Sequence, residues 1–268
     1  MINVLSRAAP SHLRHAPFPH LVVQEALDPR AYSALAASFP AIETLTGRRA
    51  CEDLASNRRY STPAWPLMLR EDVAPIWKMF LQQHVSQAFL DAVFTIFAGC
   101  WDQGLLDMLD RGDRKAGLLY RDSHQEFRVL ADARVEINSP VRGPASSPRG
   151  AHLDAPNRLF SGLFYLRDGD DDSVGGELEL FRWASRPSEA LDVFELPAHA
   201  VERVATIPYR PNQLVLFPQS VFALHGVGIR QPTPHIRRYV FITAEIEDDW
   251  LTSYPTSPAA SDSSSCGC

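Results

Sequence analysis

The chain has 268 residues, of which 26 are basic and 32 acidic, giving a formal net charge of −6, with 45% hydrophobic and 22% charged residues. No apolar run approaches the ~20 residues of a membrane helix, and no basic stripe of the kind that neutralises phosphates appears, so neither membrane nor nucleic acid is an expected partner. At this size a folded surface of about 12,000 Å² against about 43,000 Å² unfolded leaves room for a sizeable core in one domain without disulfide staples.

In chain order, the first 115 residues predict a mainly helical support region. Asp28 precedes Pro29-Arg-Ala-Tyr-Ser-Ala-Leu-Ala-Ala-Ser-Phe39. An N-capping carboxylate followed by proline in the first turn predicts a short amphipathic helix. From Asp72 to Gly99 the apolar residues Val73, Ile76, Trp77, Phe80, Leu81, Val85, Phe89, Val93, Phe94 and Phe97 recur at helical steps, which predicts one long helix with a wide buried face. Another helix is expected over Trp101–Leu109, stopped by Arg111-Gly112-Asp113.

Residues 116–251 change to short β-like runs broken by Gly, Pro and Asp, the pattern of a sandwich or barrel. Strands are predicted at Arg128–Ile137, Leu159–Leu166, Gly176–Arg182, Ala200–Ile207, Gln213–Phe217 and Arg238–Glu245, with a further one delivering His225. The acidic run Asp168–Asp172 suits a solvated hairpin tip better than a calcium loop, since it lacks the later glutamate. Residues 252–268 are Ser, Pro, Ala and Thr without periodicity and are expected to be disordered, leaving Cys266 and Cys268 without a fixed site. Cysteines 51, 100, 266 and 268 show no paired pattern, and no charged-then-apolar leader opens the chain, so the expected setting is cytoplasmic and reducing.

The chemistry concentrates at His152-Leu153-Asp154. Side chains two apart on an extended segment project to one face, so one segment supplies two metal ligands. Chance alone produces about 0.6 such tripeptides in a chain of this composition, so the pattern needs a companion. His225 supplies it, after the run Leu214–Pro218 and before a strand that begins with arginine at 237 and 238. Two imidazoles and one carboxylate form the triad that holds ferrous iron with coordination positions left open. A dicarboxylate such as 2-oxoglutarate fills two of those positions, and its far carboxylate then needs a fixed guanidinium.

In kind and order, these residues resemble the iron(II)/2-oxoglutarate-dependent dioxygenases of the prolyl-hydroxylase-like type. The resemblance covers residues 16–247 loosely and 134–245 more specifically. It implies that His152, Asp154 and His225 are the iron ligands and that Arg238 anchors 2-oxoglutarate. Leu163-Phe-Tyr-Leu166, an acidic turn and Gly175-Gly-Glu-Leu-Glu-Leu180 look like the family's strand, loop and Gly-Gly strand, which makes Tyr165 a co-substrate contact. Asn138, on the strand before the HxD loop, is a further candidate contact. Arg237 competes with Arg238, because neighbours on a strand face opposite ways. The sequence favours Arg238, whose same-face neighbour is Val240, whereas Arg237 sets the bulk of Tyr239 beside the ligand.

The fold so implied is α+β and mainly β: a double-stranded β-helix of the jelly-roll, cupin-like type, braced on one sheet by the N-terminal helices. The implied reaction couples oxidative decarboxylation of 2-oxoglutarate, to succinate and carbon dioxide, to hydroxylation of an unactivated C–H bond in a small-molecule or peptidyl substrate, with ascorbate in support. Two readings compete with it: a non-catalytic cupin-like module holding a metal or small anion, and a zinc-dependent enzyme using the same ligands. The substrate wall is expected from Ser139–Gly150, Ala155–Phe160 and the N-terminal helices, where Arg142, Arg149 and Arg158 suit a carboxylate or phosphate. Substrate identity and oligomeric state are not legible in the sequence.

Overall fold

The computed structural model describes residues 2–47, 50–110, 114–187 and 191–251. Two short strands, β1 (Leu13–Arg14) and β2 (His20–Val23), lead into α1 (Pro29–Ala37), where the Asp28 carboxylate accepts hydrogen bonds from the N–H groups of Arg30 and Ala31. α2 (Ile42–Thr46) ends on Gly47, whose φ of +74° is the left-handed cap that favours glycine. β3 (Arg59–Thr62) and α3 (Ala64–Met68) follow.

The stretch expected to be one helix over 72–99 divides into α4 (Pro75–His84) and α5 (Gln87–Ile96). Ser86 causes the break: its hydroxyl accepts from the Phe89 N–H and starts a second helix, as N-capping serines do. Apolar periodicity survives because both helices pack the same core. α6 (Gln103–Asp110) is the third expected helix; its predicted stop at 111–113 lies outside the described residues, as does the tail at 252–268.

The β region comprises β4 (Ala116–Leu118), β5 (Val129–Asn138), β6 (Arg158–Tyr165), β7 (Leu178–Trp183), β8 (Val201–Ile207), β9 (Gln213–Pro218), β10 (His225–Val227) and β11 (Arg237–Glu245). An eight-stranded sheet runs in the order β1-β2-β9-β6-β11-β5-β3, with β4 parallel beside β5, and a second sheet runs β10-β7-β8. The fold is thus mixed α+β and mainly β. Strands β1 to β3, from the region expected to be helical, extend the large sheet, β2 through β9 and β3 through β5. Among the described residues no helix is long and apolar enough to cross a membrane.

The central strands of the large sheet are buried on both faces. Pairing therefore identifies their two faces where apolar alternation does not. Val240 lies opposite Val135 and Phe164, and Phe164 opposite Leu214. This row meets the helices: the Phe164 ring contacts Phe80 of α4 at 5.7 Å and Tyr32 of α1 at 6.3 Å. The adjacent row, with Arg237 opposite Asn138 and Tyr239 opposite Glu136 and Tyr165, faces the other way. A cavity lies on that side, and the second sheet closes it with Leu178, His225 and Val227.

At the other end of the core, His84 Nε2 accepts the Val4 N–H at 3.1 Å, while its Nδ1 lies 2.7 Å from the Phe80 carbonyl and donates to it. The imidazole must be neutral to do both. Burial lowers its pKa from 6.5 to about 4, against a smaller upward pull from the Phe80 carbonyl. Below about pH 6.5 the unfolded chain takes up a proton at this site that the folded protein refuses until about pH 4, so folded stability falls across that window. The expected loss attributable to His84 is about 3 kcal/mol. Urea unfolding of wild type and His84→Gln should therefore show a stability gap that narrows by that amount from pH 7 to pH 4; a gap independent of pH would refute the assignment.

Candidate metal centre

His152 and Asp154 lie on the irregular segment before β6, and His225 opens β10. The two segments are joined at a single bridge, with the His152 N–H donating to the His225 carbonyl at 2.8 Å and the reverse bond at 3.1 Å. Such close approach requires glycine at 226, where a Cβ would lie 2.6 Å from the Gly150 carbonyl oxygen. Each imidazole is oriented by its own backbone: His152 Nδ1 lies 2.8 Å from the Gly150 carbonyl, and His225 Nδ1 lies 3.0 Å from the Ala223 carbonyl. With Nδ1 donating, Nε2 keeps its lone pair, the tautomer that metal ligation requires.

Both Nε2 atoms face Asp154, at 3.9 Å from His152 and 3.6 Å from His225. One donor atom from each of the three residues lies within 4.8 Å of the others, and all three residues are buried. No other group of three His, Cys, Asp or Glu side chains with metal-holding geometry occurs among the described residues. His235, ten residues beyond His225, is not part of the set and lies 3.2 Å from Asp172.

Asp154 is held by residues the sequence did not single out for this task. Arg158, one helical step ahead in number, donates to its Oδ1 at 2.8 Å, and the Ser161 hydroxyl makes a short bond to Oδ2. Burial would raise this carboxyl, but the Arg158 guanidinium and the Ser161 hydroxyl help hold it well below the usual carboxylate range. Burial pushes both imidazoles down; in His152 the neighbouring His225 adds to this. The three side chains thus present one carboxylate and two neutral nitrogens, which is the donor set of the iron triad. Arg158, expected to greet a substrate anion, is committed to Asp154.

The centre opens on a cavity of about 590 Å³. Its walls include Leu163, Phe241, Glu136 and Asn138 of the large sheet, Ser146 to Arg149 of the preceding loop, Ala55 to Arg59, and Phe194. The N-terminal helices, expected to help form this wall, lie on the opposite face of the sheet. Arg142 also lies elsewhere, donating to the carbonyls of Leu54 and Cys51.

Arg237, not Arg238, lines this cavity, whereas the sequence favoured Arg238 as the co-substrate anchor. Arg238 shares the helix-covered face with Val240; its guanidinium sits over Phe39 and pairs with Asp168 at 2.5 Å. The acidic run is solvated at Asp170 and Asp172, as a hairpin tip would be, but Asp168 pairs with Arg238 and Asp171 is buried near Arg167. Arg237 is buried, with Nε donating to the Gly176 carbonyl at 3.1 Å and Nη1 to Asn138 Oδ1 at 3.4 Å. Tyr239, whose bulk was counted against Arg237, instead supports it. The rings of Tyr165, Tyr209 and Tyr239 lie 4.9, 4.9 and 4.8 Å from its guanidinium, an attractive cation–π arrangement.

Neither Arg237 Nη2 nor the Tyr165 hydroxyl reaches a hydrogen-bond partner, although both are buried. A buried cation without an anion is costly, and here it lies in the same cavity as the metal-ligand set. Tyr165 is not itself a lining residue; its ring lies against Arg237, and burial raises its hydroxyl pKa. Asn138 does line the cavity. Tyr209 and Tyr239 were not recognised in the sequence as partners of Arg237, because their meeting with it depends on how separate segments pack.

The sequence matches no protein-family model and no curated protein. The structure does have relatives. Over 87% of this chain it superposes on a prolyl 4-hydroxylase from Phytophthora capsici with a TM-score of 0.51 at 17% identity, and it covers 60% of that protein's length. A prolyl-4-hydroxylase from Pseudomonas putida aligns over 92% of this chain and 100% of its own at 16% identity, with a TM-score of 0.42. A prolyl hydroxylase from Trichoplax adhaerens, in complex with a hypoxia inducible factor peptide fragment, aligns over 85% of this chain and 84% of its own at 14% identity, with a TM-score of 0.45. At such identities the likeness concerns the fold, and it rests on the first of the three.

Proposed function

We propose that this chain, which has the fold seen in prolyl 4-hydroxylases, is an iron(II)- and 2-oxoglutarate-dependent dioxygenase that hydroxylates a C–H bond of a small-molecule or peptidyl substrate. One observation carries the reading: a buried His-Asp-His donor set opens on a cavity that also contains a buried guanidinium with an unpaired nitrogen. The two facing sheets, with ligands contributed from the strand ends between them, fit a double-stranded β-helix core of the jelly-roll type.

His152 Nε2, His225 Nε2 and the Asp154 carboxylate would hold the iron, and Arg237 would anchor the distal carboxylate of 2-oxoglutarate. Together the metal and 2-oxoglutarate supply oxidative decarboxylation, with release of succinate and carbon dioxide, and the oxidising power to place oxygen on carbon. The protein's share is orientation and exclusion of water. Arg158 and Ser161 fix the carboxylate so that it stays ionised and aimed. Asn138 holds one nitrogen of Arg237, the Gly176 carbonyl holds another, and three tyrosine rings confine the group, leaving Nη2 for the incoming dicarboxylate. Leu163, Leu178, Val227 and Phe241 provide apolar wall beside the donors.

The test is succinate formation by the purified chain incubated with iron(II), ascorbate and 2-oxoglutarate, first alone and then with candidate substrates. Slow succinate release without substrate, accelerated by a compound that gains one oxygen atom, is the expected result. Iron uptake with no succinate under any condition would overturn the oxygenase reading in favour of a metal-holding module. Turnover of substrate with zinc and without 2-oxoglutarate would favour the zinc enzyme.

A further inference from the structure

The charges lining the cavity do not balance. Four arginines (Arg58, Arg59, Arg149 and Arg237) face two carboxylates, Glu136 and Asp154. A ferrous ion and a 2-oxoglutarate dianion cancel one another, so loading the site as proposed above leaves a surplus of positive charge. Following each cation to its partner locates that surplus. Asp154 is matched by Arg158 and the metal, and Arg237 by the distal carboxylate of 2-oxoglutarate. Arg59 is exposed to water, and Glu136 is the main group that raises its pKa. Arg58 is exposed, where water serves it.

Arg149 remains. It is half-buried, its Nε donates to the Phe194 carbonyl at 2.7 Å and its Nη2 to the Val193 carbonyl at 3.4 Å, and its guanidinium lies over the Phe194 ring. Among the described residues no carboxylate comes within ion-pair distance of it. Its position is fixed on neutral groups, so a fork of known orientation is held ready at the cavity wall. Burial lowers its pKa, and the cations Arg59 and Arg158 lower it further, against the pull of Asp154 and Asp192. The arrangement is one that an anion relieves. Beside it Phe194 is 70% exposed, an apolar surface that lines the same cavity.

We propose that Arg149 receives an oxyanion of the substrate, a carboxylate or a phosphate, with the exposed ring of Phe194 against the apolar group next to that anion. The inference rests on the oxygenase reading and narrows its substrate class. A test needs no knowledge of the true substrate. Manganese(II) replaces iron in the purified chain, binding of the metal and of 2-oxoglutarate is titrated by calorimetry, and benzoate, phenyl phosphate and benzamide are then added separately. Paramagnetic relaxation of their ring protons by the manganese reports binding near the metal.

Benzoate or phenyl phosphate is expected to bind at least tenfold more tightly than the neutral benzamide, and whichever is preferred tells a carboxylate from a phosphate substrate. Arg149→Gln is expected to remove that preference, and Arg149→Lys, which keeps the charge without the fork, to retain part of it. Equal relaxation of all three probes, or a preference unchanged in Arg149→Gln, would overturn the inference while leaving the oxygenase reading intact. Failure of the wild-type protein to bind 2-oxoglutarate would overturn both.

Discussion

Replacing His225 by alanine is expected to abolish tight metal binding and, with it, succinate formation. The imidazole is one of only three donors, and its Nε2 lies 3.6 Å from Asp154 across the position a metal would share. Removing an outer partner of a ligand typically costs about 10–100-fold in metal affinity, so loss of a ligand itself should exceed that range. The change is also expected to be specific. The Ala223 carbonyl, which accepts from His225 Nδ1, loses a partner, but Asp154 keeps Arg158 and Ser161 and stays charged. The folded protein should therefore survive while its metal affinity does not. Anaerobic titration with iron(II), followed by calorimetry, measures this directly. Unchanged iron affinity in the His225→Ala protein would remove the foundation of the proposed function.

The second large effect separates two adjacent arginines. Arg237→Gln is expected to weaken 2-oxoglutarate about 10- to 150-fold, the equivalent of one lost buried charge-assisted contact at about 1.5–3 kcal/mol. Arg238→Gln should change it by no more than about threefold, because that guanidinium pairs with a partly exposed Asp168 on the far face of the sheet, where ion pairs contribute about 1 kcal/mol or less. The unliganded fold should tolerate Arg237→Gln well. The substitution removes an uncompensated cation from among three tyrosine rings, and glutamine can still donate to Asn138 or to the Gly176 carbonyl. The measurement is the 2-oxoglutarate dissociation constant of each metal-loaded variant. A larger loss in Arg238→Gln than in Arg237→Gln would reverse the assignment of faces.

What the amino-acid order determines here is chemistry and element type. His152, Asp154 and His225 are legible as a ligand set because metal binding depends on residue identity and on their falling next to strand ends, both of which are local. The principal strands are legible for the same reason, since β-branched and aromatic runs between Gly, Pro and Asp breakers are local signals, and β5, β6, β9 and β11 begin and end close to where those runs do. The helix break at Ser86 was open to a similar reading, but the apolar periodicity that continues across it masked the capping serine.

Which way a side chain points from a doubly buried strand is not local. β11 is apolar on both faces, so no alternation distinguishes Arg237 from Arg238. The choice is made by register with Asn138 on one side and by the row through Tyr239 and Tyr165 on the other. A shift of one residue would exchange the two arginines. The same holds for the tyrosine cage, for the grip of Arg158 and Ser161 on Asp154, and for the cation left unmatched at Arg149. Each of these depends on groups from separate segments meeting at one place, and electrostatic and steric energies are set by those distances rather than by order along the chain.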